Sequence, residues 1–218
     1  MYIAVFGARG RVGSRVVEIA EQRGHTVVAI DVKDNTCNLN GSLKDISENI
    51  DVVIDFSTAA ATQDVCNFCR LHRSPLVSGV TGRNEQQQKL IDDLSAELPI
   101  VCKANFSVGV DMLHRICEIV ARELSNWDCE IVEIHRKGKL DAPSGTAKSL
   151  AATVARQKNF KNVTTHALRL GSNFGRHEVV FATNGESLTL IHQAESVEIF
   201  ALGAIVTAEK LVKKTHPN

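Results

Sequence analysis

The chain has 218 residues, 44% of them hydrophobic and 23% charged, with 25 Lys plus Arg balanced by 25 Asp plus Glu. That length holds one large domain or two small ones around a real core. The composition excludes a disordered, collagenous or repeat chain, and the zero net charge leaves no global basic field for a nucleic acid or an anionic membrane. No apolar run approaches the ~18 residues of a membrane span. The opening MYIAVFGARGRVG reaches glycines too soon for a signal segment, so a cytoplasmic location is expected.

Strand and helix signals alternate through the first half. Tyr2–Phe6 is a short apolar β-type run, and Arg11–Arg23 has a helical face of Val12, Val16, Ile19 and Ala20 closed by Gly24. Thr26–Ile30 is a second strand ending at Asp31, and the polar stretch Asp34–Asn49 carries little pattern. Asp51–Asp55 is a third strand, followed by a helix to about Leu71, a strand at Leu76–Ser78, a helix from Asn84 to about Leu94 and a strand at Pro99–Cys102. This alternation predicts an α/β fold, a doubly wound parallel sheet of Rossmann type with helices on both faces.

The rhythm changes after Asn105. Val108–Leu124 is helical, Cys129–His135 a strand, and Ser144 to about Gln157 a helix; β-like runs follow at His166–Leu170, Val179–Thr183 and Leu188–His192. A smaller α+β unit with a mixed sheet is expected over 106–196, and a dinucleotide-binding domain over 1–105, with 197–218 packing back on it through the helical segment Ala201–Lys213. The six cysteines (Cys37, Cys66, Cys69, Cys102, Cys117, Cys129) lie in apolar segments. Cys66 and Cys69 form one CxxC inside a helix, with His72 as at most a third ligand, so core packing is expected and no metal.

Gly7, Gly10 and Gly13 lie between the first strand and the first helix. Glycine supplies unusual backbone angles and a close approach, and the helix start offers free N–H groups and partial positive charge to a pyrophosphate. Asp31, 31 − 7 = 24 residues on, ends the second strand, where an acid can bind both ribose hydroxyls. Its charge repels a 2′-phosphate and favours NADH over NADPH, with Lys33 nearby as a partial counterweight. Arg9 and Arg11 are either phosphate partners or exposed side chains of a helix start.

Residues 133–147 read EIHRKGKLDAPSGTA. A strand enters a loop holding His135, Arg136, Lys137 and Lys139, turns at Asp141-Ala142-Pro143, and starts a helix at Ser144-Gly145-Thr146. The N–H groups of Gly145 and Thr146 should be unpaired there, which with the surrounding cations makes a seat for an anion, most simply a carboxylate. His135 and Arg136 point to opposite faces of a regular strand, so they share a site only if the strand ends there; Gly138 permits the bend.

The segments VFGARGRVG, DVVIDFSTAAA, ANFSVGV and EIVEIHRKGKLDAPSGTA resemble, in this order, the 4-hydroxy-tetrahydrodipicolinate reductase (dihydrodipicolinate reductase) family of the diaminopimelate–lysine pathway. The resemblance covers roughly the first two-thirds of the chain, and its length fits the shorter class of the family. It implies reduction of a cyclic imine dicarboxylate by hydride from NADH or NADPH with loss of water. It also implies His135 as catalytic acid/base, Lys139 as proton donor, Arg136, Ser144, Gly145 and Thr146 at the substrate, and a homotetramer joined through the second sheet. On the cofactor side it implies Gly7, Ala8, Arg9, Gly10, Arg11 and Val12 as the phosphate loop and Asp31 at the ribose. Gly79, Val80 and Thr81 then lie near the nicotinamide with Lys103, Ala104, Asn105 and Phe106.

The chain departs from the family in three places. Arg136 stands where a second His is usual, and an arginine can still pair bidentately with a carboxylate. Ser196-Val197 replaces Ser-Arg before the closing helix, and GVTG replaces the usual Gly-Thr-Thr. Two other readings stand beside this one: an NAD-dependent amino-acid dehydrogenase on the same two-domain plan, against which the DAPSGTA segment argues, and a non-catalytic dinucleotide sensor, against which His135 and Lys139 argue.

Overall fold

The structure, a computed structural model of the chain, describes residues 1–31 and 49–215. Lys33, Cys37 and nearly all of the weakly patterned stretch after Asp34 lie outside the described residues. The chain divides into two compact units, Met1–Phe106 with Phe200–Asn218, and Ser107–Ile199.

The first unit is built on five parallel strands: β1 (Tyr2–Phe6), β2 (Thr26–Ile30), β3 (Val52–Asp55), β4 (Leu76–Ser78) and β5 (Ile100–Cys102), in the order β2-β1-β3-β4-β5. Helices α1 (Gly13–Gln22), α2 (Thr62–His72) and α3 (Glu85–Ser95) are the connections that parallel strands require. β1, β3 and β4 read as near-continuous apolar runs because both faces are covered; Ile3, Ala4, Val5, Val52, Val53 and Ile54 are fully buried. On one face Ile3, Val5 and Val52 pack with Val16 and Ala20 of α1 and with Ala201, Ala204, Ile205 and Ala208 of the closing helix α6 (Glu198–Thr215). On the other, Ala4, Phe6 and Val53 pack with Val65, Cys66, Phe68 and Cys69 of α2 and with Ile91 and Leu94 of α3.

The CxxC is therefore part of this core. Both thiols are fully buried and unbonded to each other, burial pushes their pKa values up, and His72 lies against the Phe68 ring at 4.2 Å between centroids. Helix α2 starts later than the sequence suggests: Ala59–Ala61 forms a short 3₁₀ turn before the α-helix begins at Thr62. Helix α3 begins with a full capping box, Asn84 accepting from the Gln87 N–H while the Gln87 side chain accepts from the Asn84 N–H.

The second unit has helices α4 (Val108–Glu123) and α5 (Gly145–Ala155) and a mixed four-stranded sheet in the order β7-β6-β8-β9. Its strands are β6 (Asp128–His135), β7 (Thr164–Arg169), β8 (Arg176–Thr183) and β9 (Glu186–Gln193). β6 and β7 are parallel and joined through α5, while β6–β8 and β8–β9 are antiparallel. Cys129 and Ile131 of β6 with Val179 and Phe181 of β8 turn inward onto Leu113 and Cys117 of α4 and Leu150 and Val154 of α5. Glu133 and His135 continue the same inward row of β6, which alternates with period two.

Candidate active site

In the first unit the strand order reverses between β1 and β3, the kind of switch point at which doubly wound sheets bind ligands. The glycine turn sits at that point. Gly7 has φ +73°, and a Cβ on it would lie 2.6 Å from the Phe56 carbonyl carbon, so only glycine fits both the angle and the approach. A Cβ on Gly13 would lie 2.0 Å from the Gly7 oxygen. The Gly7 and Ala8 N–H groups donate to the Ile30 oxygen, and the Gly10 N–H donates to the Gly7 oxygen. This leaves a closed backbone turn feeding α1, whose first turn has neither a side-chain cap nor an acidic residue. A helix start so arranged is open to an anion.

Asp31 reaches this turn directly, its Oδ2 accepting from the Arg9 N–H at 3.0 Å. The residues expected near a nicotinamide gather at the same ends of the parallel strands. Gly79 follows β4 and presses on the Phe56 ring, where a Cβ would come within 2.3 Å, and the Phe56 and Phe106 rings meet edge to face at 5.9 Å. The Lys103 N–H donates to the Ser78 oxygen at 3.1 Å. Val80 is half-buried and Thr81 exposed.

A buried ion pair that the sequence did not reveal fastens this loop. Asp55, 1% exposed, accepts from Ser57 and Ser78 and faces Arg83 at 3.5 Å. The Arg83 guanidinium also donates to the Val80 oxygen, Ser78 Oγ and Thr62 Oγ1. Arg83 thereby ties the 79–83 loop to β3, β4 and α2. Its position after GVTG carries no local signal, since only the fold brings Asp55 to it.

In the second unit β6 ends at His135, so the bend that lets His135 and Arg136 share a site is present. The Arg136 N–H turns to the Asn173 oxygen, and the Leu170 N–H donates to the His135 oxygen. The Arg136 guanidinium lies over Gly138, with Nη1 2.9 Å from where a Cβ would be. Ser144 caps α5, its Oγ accepting from the Ala147 N–H at 3.2 Å. Lys139 Nζ lies 2.7 Å from Asp141 Oδ1. Burial pushes the Asp141 carboxyl up, but Lys139 and the Gly145 N–H together hold it below its ordinary value. The seat expected at the Gly145 N–H is thus faced by the chain's own Asp141 carboxylate, which the Asp141-Ala142-Pro143 turn brings toward the start of α5.

Glu133 and His135 are both buried, at 0% and 8% exposure. His135 Nδ1 bonds Glu133 Oε2, the Ser144 N–H donates to Glu133 Oε1, and Arg169 donates to both oxygens at 2.9 and 2.6 Å. Burial pushes the Glu133 carboxyl up, but Arg169, His135 and the Ser144 N–H outweigh it and hold the group low. Burial pushes the His135 ring below the ordinary histidine value, with Lys139 and Arg169 adding to the shift and Glu133 opposing it. His177 of β8 stands edge to face with His135 at 5.2 Å and shares a 3.2 Å hydrogen bond with Ser144 Oγ; desolvation takes its pKa down to about 3. Gly175, at φ +147°, leaves room beside the ring, where a Cβ would come within 2.9 Å of His135 Nε2. Glu133, Arg169 and His177 were not among the expected site residues. Glu133 had a signal, a charged residue in the inward row two positions before His135; the other two had none.

A Rossmann-like parallel sheet with a glycine turn at its switch point, and a buried His–carboxylate cluster beside a cationic loop on a second unit, fit the class of two-domain oxidoreductases with a dinucleotide-binding fold. Comparison with known proteins narrows the class. Residues 1–106 match the family "Dihydrodipicolinate reductase, N-terminus" and residues 109–218 match "Dihydrodipicolinate reductase, C-terminus". The chain is 35% identical over 214 residues to a 4-hydroxy-tetrahydrodipicolinate reductase of Thermosipho africanus, covering 98% of this chain and 93% of that one. It is 34% identical over 231 residues to one of Campylobacter jejuni, covering 97% and 93%. Among solved structures it is similar to dipicolinate-bound dihydrodipicolinate reductase from Paenisporosarcina sp. TG-14, with TM-score 0.78, 22% identity and coverage of 98% and 95%. The chain belongs to the dihydrodipicolinate reductase family.

Proposed function

We propose that the chain reduces (4S)-4-hydroxy-2,3,4,5-tetrahydrodipicolinate to 2,3,4,5-tetrahydrodipicolinate with NAD(P)H, in the diaminopimelate route to lysine. The 4-hydroxyl leaves as water, and one hydride and one proton are added to the ring. The observation that carries the reading is the convergence of His135, Lys139 and the start of α5 on one loop. The relatives' shared name, and the dicarboxylate bound to the Paenisporosarcina protein, supply the substrate class.

A bound NADH or NADPH supplies the hydride; positioning and proton transfer fall to this chain's residues. Gly7, Ala8, Arg9, Gly10, Arg11 and Val12 hold the pyrophosphate at α1, and Asp31 takes the ribose, which favours NADH. Gly79, Val80 and Thr81, stiffened by Arg83, and Lys103 to Phe106 frame the nicotinamide. The N–H groups of Gly145 and Thr146 take one substrate carboxylate, Asp141 giving way to it, while Arg136 pairs with the other. Hydride addition leaves negative charge on the ring, which Lys139 or a protonated His135 neutralises by proton donation.

The outer face of the second sheet carries Val132, Ile134, Leu168, Val180 and Ile191, with Leu168 40% and Ile191 51% exposed. That face supports a homotetramer joined through it, and the five free cysteines among the described residues suit a reducing cytoplasm.

The test is a coupled assay in which a dihydrodipicolinate synthase generates the unstable substrate in place while NADH absorbance is followed. Consumption that requires both the synthase and this chain is the expected outcome, faster with NADH than with NADPH. NADH binding without turnover would leave the glycine turn standing and remove the substrate reading.

A further inference from the structure

We propose that Glu133, with Arg169 as its counter-charge, is a positioning residue: it holds the His135 ring in one orientation and one tautomer and fixes the ring to the start of α5. The proposal rests on the reading of His135 as the acid/base group and goes beyond it by assigning what sets that group.

Removing a carboxylate from water is costly unless it is paired and hydrogen-bonded. Glu133 is fully buried and satisfied on both oxygens. Oε1 takes the Ser144 N–H at 3.1 Å and Arg169 Nη2 at 2.6 Å; Oε2 takes Arg169 Nη1 at 2.9 Å and His135 Nδ1. The fork-on-fork pairing with Arg169 keeps the carboxyl ionised, and an ionised carboxylate only accepts. His135 must therefore donate from Nδ1, which leaves Nε2, the edge beside Gly175, to accept a proton when the ring is neutral and return it when charged.

The same carboxylate restrains the flanking backbone. Arg169 Nη2 also donates to the Asp141 oxygen at 2.6 Å and Nη1 to the Leu168 oxygen at 2.7 Å, so one ion pair ties β6 and β7 to the loop entering α5. A ring with no partner on Nδ1 flips freely about χ2, whose wells are broad and two-fold. The charged and titratable groups that face the ring are Glu133 on its own strand, Lys139 in the following loop, Arg169 on β7 and His177 on β8. Glu133 is the one anion among them.

Two measurements test this. In the intact protein, long-range proton–nitrogen NMR reads the neutral tautomer and titration of His135, assigned by loss of its signals in His135→Asn. Nδ1–H is expected; an Nε2–H neutral ring overturns the proposal without any variant. In Glu133→Gln the titration of His135 should move down by about one pH unit or more as the favourable anion is lost. Its kcat should fall on the order of 10²-fold or more with a smaller change in KM, as for other residues that orient a catalytic histidine. If Glu133→Gln fails to fold because Arg169 is stranded, Glu133→Gln/Arg169→Gln removes both charges; the tautomer and kcat are then read in the same way, while the titration moves less because Arg169, which lowered it, is gone too. A loss of thermal stability alone, with the tautomer, titration and kcat of His135 unchanged, would show the ion pair to be a staple and nothing more. Full activity in His135→Asn would instead remove the acid/base reading, while the NMR result on Glu133 stood by itself.

Discussion

The two units of this chain make their sites from opposite materials. The turn between β1 and α1 is made of backbone: a left-handed glycine, N–H groups donated to carbonyls, and a helix start without a side-chain cap, with the Asp31 side chain reaching in from the end of β2. The site at the end of β6 is made of side-chain charge, with a buried carboxylate, a guanidinium, two imidazoles and a half-buried lysine brought from three strands and a loop. A backbone site fails when atoms are added to it, and a charge site fails when a charge is removed or a proton is added. The two should therefore respond to different perturbations.

The sharpest contrast comes from Lys139. Lys139→Ala should lower kcat on the order of 10²–10⁴-fold, the range for a lost general acid, and leave NADH titration unchanged. A rise in KM with kcat intact would make Lys139 a carboxylate clamp and transfer the proton to His135. The counterpart in the first unit is Gly13→Ala, a single added carbon that would sit 2.0 Å from the Gly7 oxygen. Overpacking against a backbone atom with no freedom to retreat costs about 3 kcal/mol or more. Thermal unfolding should show that loss of stability, and isothermal titration should show NADH binding weakened as the turn shifts to make room. Unchanged affinity would mean the turn is not the phosphate seat.

Asp31 gives a smaller effect of charge within the backbone site. Asp31→Asn should narrow the proposed preference for NADH over NADPH by about tenfold, since a half-buried unit charge near a phosphate acts through ~1–2 kcal/mol. Kinetics with each cofactor decide it, and an unchanged ratio would place selectivity elsewhere, for instance in the unassigned contribution of Lys33.

This division explains how much was legible beforehand. The parallel sheet, its helices and the glycine turn were readable because apolar runs, 3.6-residue faces and glycine spacing are local, and the backbone site is local too. The His135-to-Thr146 segment was readable as a motif for the same reason. The Glu133–Arg169 pair spans 36 residues, and Asp55 and Arg83 lie 28 apart, so only the register of β6 with β7 and of β3 with β4 brings them together. The Asp141–Lys139 contact was close in sequence yet missed, because spacing alone does not show a turn folding a carboxylate back onto the helix start.

The smallest expected effect, and the one that separates the two materials in a stability measurement, concerns His177. Its pKa in the fold is about 3, driven down by desolvation, against 6.5 when exposed. Between those values the unfolded chain binds a proton that the folded chain refuses, so stability is complete above about pH 6.5 and declines as pH falls toward 3. The slope approaches about 1.4 kcal/mol per pH unit for one such group, or roughly 3–6 °C in Tm per pH unit for a chain of this size. His135 and His192, also depressed chiefly by burial, add to the same limb, so the informative quantity is the difference between variants. His177→Asn removes one titrating group while keeping a polar atom toward Ser144 Oγ. Its Tm should fall less steeply than that of the parent between pH 6.5 and 5, above the range where the carboxylates begin to protonate. Parallel Tm curves for the two proteins would mean that the second unit admits a proton at His177 without opening, and that the charge-built site tolerates acid as well as the backbone-built one does.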